Sequence, residues 1–268
     1  MRAGMLMKAA IHQVRQYRQL MPGVEAVSLL TAHTFPRHSH DQFGIGVFVE
    51  GAQRSQSCIG SVEASAGNII MVNPGEIHDG VPLAGPRGWH MLYIEPDVVA
   101  QELHGQVDMK PIATDAALSR HMQQLFLMLN SPVPDHAAIE EAVMLSLMQV
   151  KKQHLLSAMP RSVCSPSIAL AREYLDDSPA EPITLAALAD ACGMSRFQLI
   201  RGFSRETGTT PHAWLLQSRV RLAKRLLQQG ARPIDAALQA GFADQSHLTR
   251  AFRRQFGVTP GQYILSLS

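Results

Sequence analysis

The sequence predicts an α+β protein, with strands in its N-terminal part and helices in the remainder. Residues 24–95 show short β-branched or alternating apolar runs between glycines and prolines, the region after Pro96 shows the 3.6-residue period of amphipathic helices, and the last third contains an internal repeat. The 268 residues suffice for about two domains. The predicted divisions are a β domain over 1–100, a helical segment over 101–156, a linker over 157–167 and an all-α domain over 168–268.

The predicted strands are separated by turn residues such as Gly51, Gly67 and Pro74. Five segments carry the strand pattern: Val24–Thr31, Gly44–Val49, Ser55–Ile59, Asn68–Val72 and His90–Ile94. Their regular spacing is typical of a barrel or a sandwich.

Helical periodicity begins with Ala116–Leu129 and Ala138–Leu155. The apolar side chains of these Met-containing helices could fill the core or form a partner-binding face. We expect that they mainly pack in the core and also make some contact between two copies of the chain. The polar stretch Ser157–Ser167 contains two prolines and is the best linker candidate. Six further helices are predicted after it: Ile168–Leu175, Leu185–Ala191, Ser195–Thr207, His212–Gln228, Ile234–Ala240 and Asp244–Phe256.

Composition excludes several classes of protein. With 46% apolar and 17% charged residues, the chain is neither a disordered tail nor a fibrous repeat. No apolar run approaches the roughly 18 residues that span a bilayer, and Lys8 and Arg15 interrupt any secretory leader. We therefore expect a cytoplasmic protein with no membrane contact. The cysteines are too far apart for a metal knuckle and are expected to be inert thiols: Cys58, Cys164 and Cys192.

Positive charge is concentrated near the C-terminus. Residues 195–254 contain eleven lysines and arginines against three acids, a net charge of +8. Such a stretch is a first indication of a polyanionic partner, although solvated arginines on a helical surface would give the same count.

The repeat is the most informative feature of the sequence. The residues Leu199, Arg201, Phe203, Arg205, Gly208, Thr210 and Pro211 recur 49 positions later as Leu248, Arg250, Phe252, Arg254, Gly257, Thr259 and Pro260. Upstream, Ala189 and Gly193 recur 48 positions later as Ala237 and Gly241. The last third is therefore a duplicated unit.

Each copy is predicted as a short helix, a glycine turn and a longer helix, which is the order of a helix-turn-helix. In the first longer helix, Leu199 and Phe203 face the core while Phe197, Arg201 and Arg205 share another face. In the second copy the outward set is either Ser246, Arg250 and Arg253 or His247, Arg250 and Arg254. Arginine can bind guanine O6 and N7 with two hydrogen bonds, so both faces suit the major groove of DNA.

These residues resemble the AraC/XylS family of transcription regulators over about residues 166 to 265. The resemblance rests on Leu185-Ala186-Ala187-Leu188-Ala189, Gly193-Met194-Ser195, Leu199-x-Arg201-x-Phe203, Gly208-x-x-Pro211, and the longer second motif Gly241-Phe242-x-Asp244-Gln245-Ser246-His247-Leu248-x-Arg250-x-Phe252-x-x-x-Phe256-Gly257-x-x-Pro260. It implies two recognition helices in successive major-groove segments, joined by the helix His212–Gln228.

By match to that pattern, base-facing residues are expected at Arg196, Phe197, Ile200 and Arg201 and at Gln245, Ser246, His247 and Arg250. Arg205, Arg253 and Arg254 are expected to contact phosphates.

The N-terminal part resembles the two motifs of a cupin barrel: Phe35-Pro36-Arg37-His38-Ser39-His40 with Gly51, then Gly67 with Asn73-Pro74-Gly75-Glu76-Ile77-His78. Metal-binding cupins use two histidines of the first motif, a glutamate about four residues on, and one histidine of the second. Here Gly44 and Ile45 stand where the glutamate belongs, so we expect no metal and no other cofactor. His38, His40 and His78 are expected to line or brace a small-molecule pocket. Further candidates for residues of this pocket are Arg87, Trp89 and Tyr93 on the following strand.

Together these observations predict a sequence-specific regulator that binds promoter DNA, responds to a small-molecule effector, works with RNA polymerase and forms a homodimer. No catalytic residue is expected, because G-x-S-x-G, P-loop and dinucleotide-binding motifs are missing. Two alternatives remain: a metal-dependent cupin enzyme with a helical tail, and a nucleoid-type protein that binds DNA by charge with little sequence preference.

Overall fold

The computed structural model describes residues 11–57, 60–103, 105, 107–156 and 164–267. Cys58 and residues 157–163, most of the expected linker, lie outside this described part. The strands are β1 His12–Met21, β2 Val24–Thr31, β3 Phe35–His38, β4 Phe43–Ser57, β5 Gly60–Ser65, β6 Ile69–Val72, β7 His78–Ile94, β8 Asp108–Met109, β9 Ile112–Ala113 and β10 Leu155–Leu156. The helices are α1 Pro96–Leu103, α2 Ala116–Leu129, α3 His136–Gln153, α4 Pro166–Asp177, α5 Leu185–Ala191, α6 Arg196–Thr207, α7 Pro211–Gln228, α8 Pro233–Gln239, α9 Gln245–Phe256 and α10 Pro260–Leu267.

An antiparallel sheet forms the N-terminal domain. Its strand order is β1-β2-β7-β4-β6-β9, with β3 paired to β7 and β5 paired to β4. The long strands β4 and β7 lie at its centre, whereas the sequence predicted only fragments of each, at 44–49 and 55–59 and at 90–94. The ladder between them changes register between Phe48 and Ala52, around Gly51, so the glycine marks a bulge within one strand and not a turn between two.

The sheet buries both of its faces because successive side chains point in opposite directions. On β4, Ile45 and Val47 pack into a core shared with α1, α2 and α3, while Phe48 packs on the inner side of the barrel beside Trp89. The helices α2 and α3 begin after the N-caps Asp115 and Asp135, whose side chains accept hydrogen bonds from backbone amides of the first turn. The predicted helix Ala138–Leu155 ends earlier, at Gln153, because Leu155 pairs with Met109 in the small β8–β10 sheet.

The C-terminal domain contains two helix-turn-helix units, α5–α6 and α8–α9, on either side of the long helix α7. The helix α4 packs in the core of the first unit, and α10 packs in the core of the second. The α7 helix contributes Trp214 to the core of the first unit and Val220 to the core of the second. At the two turns, Gly193 has φ +63° and Gly241 has φ +79°, a conformation that side chains other than glycine adopt at a cost. The predicted repeat and its connecting helix are therefore present in the fold.

No helix among the residues that the structure describes has the length and apolar character needed to cross a membrane.

Candidate nucleic-acid interface and ligand pocket

The helix α6 presents a mixed basic and apolar face to solvent. Its inner side chains Leu199 and Phe203 are fully buried. Ser195 caps the helix through a capping box with Gln198, which fixes the direction of the first turn. The predicted residues on the outer side, Arg196, Phe197, Ile200 and Arg201, are all exposed.

The helix α9 repeats this arrangement with polar side chains. Asp244 caps it by accepting a hydrogen bond from the His247 amide, and Leu248 is buried beneath. Gln245, Ser246 and Arg250 are exposed, as predicted. His247 is only partly exposed and packs edge-on against the Phe242 ring, with 5.1 Å between ring centroids. Of the two outward sets that the sequence left open, the one with Ser246 and Arg250 is therefore the more accessible.

The three expected phosphate contacts have different surroundings. Arg205 Nη2 lies 2.8 Å from Glu206 Oε1, and the Arg205 side chain is 72% exposed. Because such a surface ion pair is weak, a phosphate can replace Glu206 as the partner of Arg205. Arg254 is exposed. Arg253 lines a groove between β1 and the end of α9, beside His12, which places it against the barrel as well as near solvent.

A cavity in the barrel is the main candidate for a ligand site. Its wall carries apolar side chains of the inner sheet face, among them Leu29, Phe35 and Met91. Of the predicted pocket residues, His38, His40, His78, Trp89 and Tyr93 line it.

Arg87, the remaining predicted pocket residue, is a correction. It is fully buried and does not line the cavity. Its guanidinium donates to Gln53 Oε1 at 2.9 Å and to the backbone carbonyls of Thr31, His33 and Gly80. These bonds tie together β2, the loop between β2 and β3, β4 and β7, so Arg87 braces the barrel.

The three pocket histidines form a compact cluster. Their nearest ring nitrogens lie within 4.8 Å of one another. His38 Nδ1 donates to the Pro36 carbonyl at 2.7 Å and His78 Nδ1 donates to the Glu76 carbonyl at 3.0 Å, which leaves Nε2 of each as a free lone pair. Burial lowers the pKa of His38 to about 3 and also lowers the pKa values of His40 and His78, so the neutral forms are favoured.

Neutral imidazoles oriented by backbone carbonyls are the usual ligands of zinc and other first-row metals, so these three residues could hold one. The side chain of Ile45 is buried in the core beneath the sheet, and no carboxylate stands at the position where metal cupins have one. Glu76, in the loop before β7, and Asp79, on β7, also line the cavity, and neither was among the predicted pocket residues.

The C-terminal domain closes the mouth of the cavity. Lys224, Gln255, Phe256 and Tyr263 line it together with barrel residues. Lys224 Nζ lies 3.1 Å from Glu25 Oε2 and donates to Gln42 Oε1 at 2.9 Å. Sequence reasoning missed this closure because the partners are about 200 positions apart, and only the opposite charges of Glu25 and Lys224 could have suggested it.

Further contacts hold the two domains together. Gln217 Oε1 accepts from the Ser39 amide at 3.1 Å, and Gln255 Nε2 donates to the Ser39 carbonyl at 3.1 Å. Arg221 bridges Asp41 of the barrel at 2.7 Å and Asp176 of α4 at 2.8 Å. The cavity and the second helix-turn-helix unit therefore share one buried interface.

Comparison with known proteins matches both parts of the chain. Residues 23–148 match the model of the AraC-like ligand binding domain, and residues 188–265 match a helix-turn-helix domain. The chain is 33% identical over 229 residues to an uncharacterized HTH-type transcriptional regulator, YbfI, of Bacillus subtilis, which covers 80% of this chain and 81% of that protein. It is 25% identical over 277 residues to the HTH-type transcriptional activator RhaS of Shigella flexneri, covering 93% and 95%.

The whole fold has a counterpart among solved structures. ToxT of Vibrio cholerae with a bound unsaturated fatty acid superposes with a TM-score of 0.54 at 13% identity, covering 100% of this chain and 98% of that one. This similarity covers both domains and concerns the fold alone.

Proposed function

The chain belongs to the AraC family of transcriptional regulators, and from that premise we propose that it binds promoter DNA through α6 and α9 under the control of a small molecule held in the barrel. The observation that carries the DNA-binding part is the duplicated unit, which exposes Arg201 and Arg250 at equivalent positions of two helices. Each arginine can recognise a guanine in the major groove, and each such pair discriminates by about 1–3 kcal/mol. As part of this proposal, the protein acts on RNA polymerase at a promoter in the cytoplasm. It is not proposed to catalyse a reaction.

Binding to a cognate duplex and a scrambled duplex tests this function. A cognate sequence is first selected from a random duplex library with the full chain. Arg250→Ala is then expected to weaken cognate binding about tenfold or more and scrambled binding much less. Arg232→Ala is the matched control, because Arg232 is exposed at the start of α8 and pairs with Asp235. Equal losses on both duplexes would instead support the nucleoid-type alternative, in which arginine contacts phosphate alone.

Control by a ligand rests on the shared boundary of the cavity. A molecule in the cavity would contact the barrel wall and also Lys224 and Phe256 of the DNA-binding domain. If this molecule binds one arrangement of the two domains more tightly, it shifts the population toward that arrangement. The free energy by which it changes the affinity for DNA then equals the free energy by which DNA changes the affinity for the molecule.

A thermal-shift screen of the full chain against metabolites and drugs identifies such a ligand, because a compound at 100 times its Kd adds about 2.7 kcal/mol of stability. Ala64→Phe, which fills the cavity, is expected to abolish both the shift and the change in DNA affinity. Glu63→Phe is the control, since it places the same side chain on the opposite, exposed face of β5. A hit that stabilises the chain without changing DNA affinity would contradict ligand control.

We also propose that α3 pairs with α3 of a second copy. Its exposed stripe carries Leu145 and Met148, 40% and 65% exposed, between Glu141 and Lys152. An antiparallel pair about a two-fold axis places Glu141 opposite Lys152 of the partner subunit and Leu145 opposite Met148 of the partner subunit. Such a surface is complementary to itself, as a two-fold interface requires.

Charge reversal tests the pairing by sedimentation of the full chain. Glu141→Lys and Lys152→Glu are each expected to weaken the dimer, and the double variant is expected to restore it. Glu173→Lys, an exposed reversal on α4, should leave association unchanged. A chain that is monomeric at every concentration, or a double variant no better than the single ones, would refute the α3 interface while leaving DNA binding intact.

A further inference from the structure

The two recognition helices differ in one respect that their shared fold does not require. On α6 the outward face includes two large apolar side chains, Phe197 at 70% and Ile200 at 40% exposure. They stand three positions apart and so lie next to each other on the helix surface. The equivalent positions on α9, 49 residues later, are Ser246 and Thr249.

Fold stability does not explain the apolar pair. The core of the first unit is built from the other face of α6, where Leu199 and Phe203 are fully buried. Single exposed apolar residues are ordinary on a protein surface, but a phenylalanine and an isoleucine side by side form a small patch, and patches mark binding surfaces. This patch lies between the exposed arginines Arg196 and Arg201, so its partner is one that is both anionic and able to offer an apolar contact.

DNA meets both conditions at one chemical group. In the major groove the base edges offer hydrogen-bond donors and acceptors, and the C5 methyl group of thymine is the apolar feature among them. A phenylalanine ring can contact that methyl while a neighbouring arginine binds guanine or phosphate. Resting on the DNA-binding function above, we propose that Phe197, supported by Ile200, reads thymine through its methyl group, and that the first helix thereby sets a specificity that the second helix lacks.

The second helix is equipped for a different readout. Gln245 and Arg250 are exposed, and their side chains suit adenine and guanine through paired hydrogen bonds. The Thr249 hydroxyl donates to the Gln245 carbonyl at 2.8 Å, so it is engaged within the helix. The half of the operator bound by α9 is thus recognised by hydrogen bonds, and the half bound by α6 depends on thymine methyl groups.

Replacing thymine by deoxyuridine tests this directly, because it removes the methyl group and keeps base pairing. The full chain is titrated with its selected operator carrying one deoxyuridine at a time. Burying one methyl contributes about 0.8 kcal/mol, so a contacted position should lose about fourfold in affinity. We expect such losses at one or two positions within one half of the operator and none in the other half.

Variants assign the effect to its residue. Phe197→Ala should bind the thymine operator about as weakly as the unchanged chain binds the deoxyuridine operator, and should show no further loss when the methyl is removed. Ser246→Ala, the matched change on α9, should keep the full methyl effect. Since Phe197 is exposed, its removal is expected to leave the fold intact, which circular dichroism and the unfolding midpoint verify.

Two failures are distinguishable. If selection yields no preferred sequence, the proposed function itself is wrong. If a specific operator is obtained but every deoxyuridine substitution is tolerated, or if Phe197→Ala retains the methyl effect, DNA binding stands and the thymine assignment is overturned.

Discussion

The two helix-turn-helix units have nearly the same internal packing but different contacts with the barrel. The first unit contacts it through an exposed hydrogen bond, in which Arg37 Nη1 donates to the Gly208 carbonyl at 2.8 Å, and through the half-buried side chain of Ile77, which packs against the core of the unit. The second unit is held more deeply, because Gln255 donates to the buried Ser39 carbonyl and His12 Nε2 donates to the Gly257 carbonyl at 2.7 Å. The two copies therefore share their internal packing and differ in how they contact the barrel.

Because of this difference, the second unit is in direct contact with the cavity, which Gln255 and Phe256 of α9 line. The ring centroids of Phe256, in the last turn of α9, and His40 are 6.0 Å apart. Lys224 Nζ lies over the Phe256 ring, 5.4 Å from its centroid. A change at the cavity therefore reaches α9 directly, through residues of α9 that line the cavity, and reaches α6 indirectly, through α7 or through the contacts of Arg37 and Ile77 with the first unit. Four predictions test where the two units are alike and where they differ.

The largest expected effect tests whether the cores of the two helix-turn-helix units contribute equally to stability. Phe203→Ala and Phe252→Ala each remove a fully buried ring, packed on Trp214 in one unit and on Phe256 and Tyr263 in the other. Each should lower the free energy of unfolding by about 3–5 kcal/mol. Urea denaturation followed by circular dichroism measures the loss, with the exposed Phe197→Ala as control. A large loss in one unit and a negligible loss in the other would show that the copies are not energetically equivalent.

The next prediction concerns pH and separates the units. The histidines of the cavity have pKa values depressed by burial, so the unfolded chain takes up protons first as pH falls below about 6.5. Their contribution to stability is complete above that pH and is lost progressively toward the folded pKa, which for His38 is about 3. At pH 5 His38 alone should account for about 2 kcal/mol of lost stability.

Unfolding in urea at pH 7.5 and pH 5.0, with a chelator present, measures this loss. His38→Gln should flatten the dependence. Hydrogen exchange at pH 5.0 should increase in the barrel and at the end of α9 before it increases in α6. Uniform loosening of both units would contradict the separate coupling.

A smaller effect is expected when single contacts with the barrel are removed. Gln255→Ala leaves the Ser39 carbonyl buried without its donor and should destabilise the chain by about 1–2 kcal/mol. Arg37→Ala removes an exposed contact, and its effect should stay below about 0.5 kcal/mol. Hydrogen exchange in the last turn of α9 should rise in the first variant only. Similar losses in both would mean that the first unit is held as firmly as the second.

How much of this was readable from the sequence depends on how local each signal is. The helices of the repeat were predicted to within a residue or two because caps, turn glycines and apolar spacing all act over one or two turns. The strand β1 was missed, since its polar residues such as Arg15 and Gln16 hide the alternation of an edge strand. The helix α10 was not predicted either. The histidine cluster followed from a motif, whereas its cover by Lys224 and Tyr263 arises from contacts between distant parts of the chain.

The smallest prediction contrasts the two helix caps. Ser195 and Asp244 occupy equivalent positions, and alanine at either should cost about 1 kcal/mol of stability. Only Asp244 also brings a negative charge to a face that is proposed to approach phosphate. Asp244→Ala should therefore lose stability yet gain affinity for non-cognate DNA at low salt, while Ser195→Ala loses stability without that gain.

Asp244→Asn separates the two contributions of this side chain, because the amide oxygen can still accept the hydrogen bond from the His247 amide that Asp244 accepts at 2.6 Å. It should keep most of the stability and show the same gain in low-salt affinity as the alanine variant. The gain should vanish as salt rises, since exposed charges are screened beyond about 10 Å at 0.1 M. If Asp244→Asn leaves low-salt DNA affinity unchanged, the charge at position 244 lies too far from the phosphates to affect binding.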